Sequence, residues 1–329
     1  MKAYVTGATG FIGGHLVRRL LERGDTVKAL IRDPAKGEPL KKLGVELVIG
    51  DILDNSSFEG TMEGFDVLYH LGNVARWWLP EKSLFYRINV EGTRAIFSEA
   101  LRAQVTKVIY VSSLATGVER KGEIITEETD QAGDLTSHYS RSKYLGEKEA
   151  FRMHREQGLP LVVLNPGVVF GPGDLKQSGK TVIDFMNGRF PAMMFEDSYV
   201  PLVYIDDTIN SHILALEKGK IGERYIIVGY NVTVGELFKL LSEITGTPLP
   251  KRKLSPTLAK LIAYVLEFKS LLTKKPPKLT IDMVRAMETG AMGDSAKARE
   301  ELGLEFTPLK ESLIKTVNWY RENGYTESH

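Results

Sequence analysis

A tyrosine and a lysine lie four residues apart in a stretch with a helical pattern, so both side chains project from one face of the helix. They are Tyr139 and Lys143. A tyrosine hydroxyl, with a usual pKa of about 10, is a poor acid or base at neutral pH, but a neighbouring ammonium group stabilises the phenolate and lowers that pKa. Such a phenol can protonate a carbonyl oxygen, or deprotonate an alcohol, during hydride transfer. The pair therefore predicts proton-transfer chemistry.

Two serines, Ser112 and Ser113, stand at the end of a β-rich run that begins at Lys107. Ligands of open parallel sheets bind at the carboxyl ends of the strands, and a serine hydroxyl there can hydrogen-bond and position a substrate oxygen. A tyrosine and a lysine at this spacing occur by chance in many helices. Together with a serine at a strand end and a dinucleotide loop, they favour a catalytic site.

The dinucleotide loop is the run Thr6–Gly13, which follows a strand directly and opens a helix. One of its glycines permits a tight turn, one lets a pyrophosphate approach the backbone, and one lets the helix pack against the strand. The free N–H groups and the positive end of the helix dipole then face the anion. The residues that we expect to contact the cofactor here are Gly7, Thr9, Gly10, Phe11, Ile12 and Gly13.

The end of the second strand bears on the choice between NAD and NADP. Enzymes that use NAD usually have an acid here that bonds the ribose 2′-hydroxyl, but this chain has Ile31. Arg32 follows at once, and its planar fork suits a 2′-phosphate. Lys36 could add a second positive charge. We therefore predict NADP, with NAD as the less favoured cofactor.

Two further strand ends complete the predicted cofactor site. Asp51 and Ile52 follow the third strand, where the adenine should lie, and the Asp51 carboxylate is well placed for the adenine amino group. Leu71 and Gly72 follow the fourth strand, where small residues would let the dinucleotide cross the sheet edge. We interpret the neighbouring His70 as a structural residue, since no other histidine stands at metal-site spacing from it, and we expect no metal site.

Short β-rich runs alternate with helical patterns over the first 170 residues, which indicates a parallel sheet with helices on both faces. The β-rich runs are Ala3–Thr6, Thr26–Ile31, Val45–Ile49, Val67–Leu71, Lys107–Ser112 and Leu161–Leu164. The helical patterns are Phe11–Arg23, Asn55–Met62, Phe85–Ala103 and Ser137–Gln157. We predict an α/β fold with a doubly wound parallel (Rossmann) sheet, and a dinucleotide-binding domain over residues 1–170.

After residue 170 the pattern becomes mainly helical. Helical patterns cover Val182–Met186, Asp206–Lys218, Val234–Gly246, Pro256–Leu272, Thr280–Met287 and Lys310–Asn323, with short strands at Val200–Val203 and Arg224–Val228. We predict a smaller, mainly helical substrate-binding domain over residues 171–329, with the chain crossing back between the two domains.

The composition excludes several classes of site and partner. With 43 lysines and arginines against 42 acidic residues, the net charge of +1 provides no global field for nucleic acid or an anionic membrane. The lack of cysteine excludes disulfides, thiolate nucleophiles and cysteine-ligated metals. The apolar run Leu258–Phe268 is too short to span a bilayer and favours a helix packed within the second domain. We predict a cytoplasmic protein that binds neither nucleic acid nor membrane.

The chain resembles the extended short-chain dehydrogenases/reductases over nearly its whole length, and within them the dihydroflavonol 4-reductase-like branch. The matching residues are Thr6–Gly13, Leu30–Pro34, Gly50–Ile52, Asn89–Thr93, Val111–Ser113, Tyr139–Lys143, Asn165–Pro172 and Val203–Asp207. The resemblance implies a catalytic triad of Ser113, Tyr139 and Lys143, with Asn89 holding the lysine through water. It also implies that Pro166, Val169 and Ser178 line the nicotinamide side, and that the helices of 85–103 and 137–157 form a homodimer contact.

One departure from the family pattern argues against a fourth function, and three functions remain open. The acid pair that sugar dehydratases place after the serine is replaced by Leu114-Ala115-Thr116, which argues against a 4,6-dehydratase. The favoured function is an NADP-dependent reductase of a ketone or aldehyde. The alternatives are a nucleotide-sugar epimerase with retained NAD, for which Arg189 and Arg224 could bind the diphosphate, and a non-catalytic dinucleotide sensor. Trp77 and Trp78 either line the substrate pocket or pack under a loop.

Overall fold

The computed structural model describes residues 1–117, 122–129, 135, 137–190 and 192–326. Within these residues, seven parallel strands form the central sheet: β1 (Lys2–Thr6), β2 (Thr26–Ile31), β3 (Glu46–Ile49), β4 (Val67–His70), β5 (Lys107–Val111), β7 (Leu161–Pro166) and β10 (Arg224–Ile227). Their order across the sheet is β3-β2-β1-β4-β5-β7-β10. Sequence order reverses beside β1, and the crevice at such a reversal is where this class of sheet binds ligands.

Smaller sheets accompany the central one. Strands β8 (Val168–Phe170), β9 (Tyr199–Tyr204) and β11 (Tyr230–Thr233) form one in the order β11-β9-β8, and β6 (Ile124–Ile125) pairs with β12 (Met292–Gly293). The strand β10 joins the central sheet beside β7 although it lies far beyond residue 170. The chain therefore returns to the first sheet, and the domain boundary at residue 170 stays a prediction.

The helices are α1 (Phe11–Glu22), α2 (Pro34–Lys42), α3 (Ser83–Tyr86), α4 (Thr93–Arg102), α5 (His138–Gln157), α6 (Gln177–Met186), α7 (Ile205–Lys218), α8 (Val234–Thr245), α9 (Pro256–Thr273), α10 (Ile281–Thr289) and α11 (Leu309–Glu322). All four residues of β4 and all six of β7 are buried, as expected for strands covered by helices on both faces. The predicted Rossmann-type α/β fold is confirmed.

Two predicted elements differ from the structure. The helix predicted over Asn55–Met62 is wrong: the chain forms only a 3-10 turn at Asn55–Ser57, and Gly60 then takes a left-handed conformation with φ of 79° that ends any helix. The helix α2 was not predicted, because Gly37 and Pro39 lie inside it. Its start is nevertheless well specified, since Asp33 caps it by accepting a hydrogen bond from the Ala35 backbone N–H and Pro34 occupies its first turn.

The helix α9 packs against the protein through small residues and exposes its large apolar ones. Its buried residues are the small ones, Ala259, Ala263 and Ser270, which lie against α10 and neighbouring loops. The large apolar side chains between Leu258 and Leu272 face outward. The helix predicted at Leu258–Phe268 is therefore present and packs within the second domain, but through its small residues. Among the described residues, the helices are too short or too polar to cross a membrane.

Candidate active site

The loop between β1 and α1 has no room for side chains at two of its glycines. Gly7 has a φ of 74°, and a Cβ on it would lie 2.6 Å from the backbone of Leu71. A Cβ on Gly13 would lie 2.2 Å from the Gly7 carbonyl oxygen. The first turn of α1 carries no acidic residue, and Gly10 at its N-cap has no side chain to occupy the free N–H groups. The loop therefore fits the pyrophosphate of a dinucleotide.

A buried network connects this loop to the end of β4. The Thr6 hydroxyl accepts a hydrogen bond from the Gly72 backbone N–H (3.0 Å) and lies 2.7 Å from His70 Nδ1. The other ring nitrogen of His70 contacts the Thr93 hydroxyl at 3.1 Å. Burial lowers the pKa of His70 to about 3, so its ring is neutral at physiological pH. The interpretation of His70 as a structural residue is confirmed.

The residues expected around the adenosine lie together at the ends of β2 and β3. Arg32 is 75% exposed, and its guanidinium lies 3.9 Å from Asp51 Oδ2, while Asp51 Oδ1 accepts a hydrogen bond from the Leu53 backbone N–H. Lys36 is exposed and 3.7 Å from Asp33. The side chain of Ile52 packs closely against Gly92, since a Cβ on Gly92 would lie 2.8 Å from it. Both cations thus remain accessible to an anionic ligand.

Tyr139 and Ser113 meet at the carboxyl end of β5. The helix α5 begins at His138 because the side chain of Ser137 caps it, accepting a hydrogen bond from the Ser140 backbone N–H. Tyr139, in the first turn, donates its hydroxyl hydrogen to Ser113 Oγ at 3.1 Å. Ser113 Oγ also accepts from the Ala115 backbone N–H at 3.2 Å. The two accepted bonds leave the serine's own hydrogen free for a third partner.

Lys143 lies one turn further along α5 and is fully buried. Its ammonium group donates to the Val111 carbonyl at 2.9 Å and lies 5.0 Å from the centre of the Tyr110 ring. Burial lowers the pKa of Lys143 to about 7, against the attraction of Glu147, which raises it. The lysine therefore shares one face of α5 with Tyr139, one turn away from it.

Glu147 is a site residue that the sequence analysis missed. It continues the four-residue spacing of Tyr139 and Lys143 and is completely buried. Its carboxylate accepts a hydrogen bond from Asn165 Nδ2 (2.7 Å) and lies 3.2 Å from the guanidinium of Arg224. Asn165 also donates to the carbonyl oxygen of Ser113. The network therefore fixes the end of β5 that carries Ser113.

Arg224 also donates a hydrogen bond to the carbonyl oxygen of Glu127. Its guanidinium is thus committed to the buried Glu147 and to a neighbouring loop. These two contacts argue against Arg224 as a ligand of a sugar diphosphate. Only the spacing of Glu147 could have revealed the network from sequence, since Arg224 and Asn165 come from distant segments.

Asn89 lies in a π-helical turn, Arg87–Gly92, between α3 and α4. Its side chain bonds both the N–H and the carbonyl of Val74, and it donates to the Ser142 hydroxyl at 2.9 Å. Gly146 lets α5 approach this turn closely, since a Cβ there would lie 2.2 Å from the Asn89 carbonyl oxygen. Asn89 thus connects the loop after β4 to α5, and its link to Lys143 through water stays a prediction.

The remaining predicted residues lie in β7, β8 and α6, and their place on the nicotinamide side stays a prediction. Pro166 ends β7, Val169 lies in β8, and Ser178 in α6 donates to the buried carboxylate of Asp174 at 2.5 Å. Trp77 packs edge-on against the ring of Tyr139, with 5.7 Å between ring centres. Trp77 therefore packs beside Tyr139, a position that the sequence had left open.

A sequence model of the NAD dependent epimerase/dehydratase family matches residues 3–228, more than half of the chain. The chain belongs to this family. "Sterol demethylase protein B" of Methylococcus capsulatus is similar to it, with 33% identity over 98% of this chain and 99% of the relative. A Synechocystis protein described as "Putative dihydroflavonol 4-reductase" is 32% identical over 99% of this chain and 96% of its own.

Among solved structures, UDP-glucose 4-epimerase of Thermotoga maritima matches with a TM-score of 0.81 and 26% identity, over 98% of this chain and 99% of that one. The predicted resemblance to the extended short-chain dehydrogenases/reductases is thereby confirmed. The glycine loop and its helix N-terminus fit the nicotinamide dinucleotide from which the epimerase/dehydratase family takes its name. The relatives include reductases as well as epimerases, so family membership leaves the reaction open.

Proposed function

We propose that the protein is an NADP-dependent reductase of ketones or aldehydes that uses Ser113, Tyr139 and Lys143. The observation that carries the proposal is the 3.1 Å hydrogen bond between the hydroxyls of Tyr139 and Ser113, one helical turn from a buried lysine. Two hydroxyls at this separation provide two hydrogen-bond donors for a single carbonyl oxygen. A sensor that only binds nucleotide has no need of this arrangement.

Each residue of the triad has a distinct role in this proposal. The substrate oxygen replaces Ser113 as the acceptor of the Tyr139 hydrogen, and the free hydrogen of Ser113 bonds the same oxygen. Tyr139 then gives its proton to that oxygen as the alcohol forms, and Lys143 stabilises the resulting phenolate. When bound, the nicotinamide cofactor supplies the hydride. The edge of Trp77 beside Tyr139 favours an apolar carbonyl substrate over a sugar.

The NADP preference rests on Arg32, which is 75% exposed at the end of β2 with only a long contact of 3.9 Å to Asp51. We expect the Arg32→Ala variant to bind NADPH about 10- to 150-fold more weakly, because one charge-assisted phosphate contact contributes about 1.5–3 kcal/mol. NADH affinity should change little, since NADH lacks the 2′-phosphate. Fluorescence titration with both nucleotides measures the two affinities, with Lys41→Ala on α2 as the matched control. An unchanged NADPH/NADH affinity ratio in Arg32→Ala would contradict the assignment.

A nucleotide-sugar epimerase with retained NAD is the second candidate, supported by the similarity to UDP-glucose 4-epimerase over nearly the whole chain. An epimerase must keep its cofactor and present both faces of the sugar to one hydride. It also needs cationic groups that bind a diphosphate. Arg224 is already paired with Glu147, so other residues would have to bind the diphosphate. The reductase is therefore the favoured function.

The two candidates differ in whether nucleotide is consumed. We expect loss of NADPH absorbance with small aromatic or aliphatic carbonyl compounds, and no interconversion of UDP-glucose and UDP-galactose. The first reaction is followed photometrically, and the second by NMR of the sugar C4 position. Inversion at C4 without net loss of NADPH, together with cofactor that remains bound through gel filtration, would replace the reductase with the epimerase.

A further inference from the structure

The outer face of α9 is a continuous apolar surface. Its large side chains are between 36% and 73% exposed: Leu258, Leu261, Ile262, Tyr264, Val265, Phe268, Leu271 and Leu272. At about 100° per residue they cover roughly half of the helix circumference, along about 20 Å of its length. Single exposed apolar residues are common, but a contiguous patch of this size marks an interaction site.

These large side chains lie outside the buried cluster that packs α9 against α10. The inward face of α9 is built from Ala259, Ala263 and Ser270, and the two alanines pack with Val284 of α10. Small residues on the inside and large ones on the outside reverse the usual arrangement of a surface helix. The outward residues are therefore available for a partner, and replacing them should leave the fold intact.

Positive charge surrounds this apolar face. The segment from Lys251 to Lys278 contains eight lysines and arginines and a single acidic residue, Glu267, whereas the whole chain has a net charge of +1. Lys253 and Lys260 are paired with acidic side chains. The other six, within the described part of the chain, show no salt bridge: Lys251, Arg252, Lys269, Lys274, Lys275 and Lys278. Basic groups thus stand at both ends of the helix.

We propose that α9 docks on the surface of an anionic lipid bilayer, with its apolar face among the acyl chains and the flanking lysines at the headgroups. An apolar helical face combined with flanking cations is the pattern of interfacial helices. A nucleic acid would bind the lysines but leave the leucines and phenylalanine in water. A second copy of the chain would bring two strongly basic segments together, and this repulsion disfavours a dimer through α9. The proposal is independent of the reaction catalysed.

Sedimentation of the full-length protein with lipid vesicles tests the proposal. We expect binding to phosphatidylcholine vesicles that contain roughly one-third phosphatidylglycerol, and at least about tenfold weaker binding to phosphatidylcholine alone. The double variant Phe268→Ser and Leu272→Ser should lose at least about 100-fold in affinity, because two deeply inserted apolar side chains are removed. The matched control is Leu43→Ser with Ile221→Ser, which changes two side chains of similar exposure elsewhere and should bind like the unmodified protein.

A second variant pair tests the charge contribution without changing the apolar face of the helix. Lys274→Gln with Lys275→Gln should weaken binding about 30-fold, since each cation near an anionic surface contributes roughly a factor of five. The proposal is overturned if the unmodified protein does not bind the anionic vesicles, or if the serine variant binds them as well as the control does. Light scattering identifies the rival arrangement: a dimer that the serine variant converts to monomers, with no vesicle binding, would assign the face to a second copy.

Discussion

Replacing Tyr139 with phenylalanine is expected to lower kcat for carbonyl reduction by about three orders of magnitude, while the affinity for NADPH changes less than about threefold. The substitution removes the proton donor and leaves the ring, so its packing against Trp77 persists. Ser113 keeps its hydrogen bond from the Ala115 backbone N–H and still holds the substrate oxygen. The loss should therefore fall on kcat, with KM nearly unchanged.

The matched control for this variant is Tyr144→Phe on the same helix. The Tyr144 ring lies 5.9 Å from the ammonium group of Lys148, and about 100° per residue puts it on a different face of α5 from Tyr139. Steady-state rates on a carbonyl compound that the unmodified enzyme reduces, together with fluorescence titration of NADPH, separate catalysis from binding. A Tyr139→Phe enzyme with a near-normal rate would refute the mechanism and favour a nucleotide sensor.

Two adjacent glycines of α1 should respond in opposite ways to the same substitution. In Gly13→Ala the new Cβ would lie 2.2 Å from the Gly7 carbonyl oxygen, so the helix and the loop must separate. Overpacking of this kind costs about 1–3 kcal/mol of stability. The displaced loop would also lose at least two charge-assisted hydrogen bonds to the pyrophosphate, which weakens nucleotide binding roughly 100-fold or more.

The control, Gly14→Ala, places its Cβ 3.7 Å from the Ala8 carbonyl oxygen, an ordinary contact distance. Because alanine favours a helix over glycine, this variant should be as stable as the parent or more stable by up to about 1 kcal/mol. Thermal unfolding and nucleotide titration of both variants measure the contrast. Equal behaviour of the two variants would show that the close approach at Gly13 does not control the loop.

The sequence predicted best where a local pattern and a local structure coincide. The alternation of β-rich and helical runs predicted the Rossmann sheet, and β2 was placed at Thr26–Ile31, as observed. The predicted helix Phe85–Ala103 exists but contains the π-helical turn at Arg87–Gly92. The π-helical turn lies where α5 packs closely against this segment. Apolar periodicity indicates a helix but does not distinguish α-helical from π-helical hydrogen bonding.

Contacts between distant segments were beyond the reach of local patterns. The spacing of Tyr139 and Lys143 predicted a shared helix face, but the pairing of Glu147 with Arg224 joins residues 77 positions apart. Similarly, the apolar residues of α9 predicted a helix packed in the second domain. Hydropathy alone does not reveal which face of that helix contacts the protein. Small inward residues became apparent only from the packing of α9 against α10.

The position of β10 in the chain has a consequence for biosynthesis. The nucleotide-binding sheet is completed by residues 224–227, and the same strand supplies Arg224, which neutralises Glu147 inside α5. Until about two-thirds of the chain has left the ribosome, the edge of β7 lacks its neighbour and a carboxylate destined for the interior lacks its cation. We therefore expect the nascent chain before Arg224 to remain incompletely folded and to depend on chaperones. Cooperative folding should begin only after Arg224 emerges.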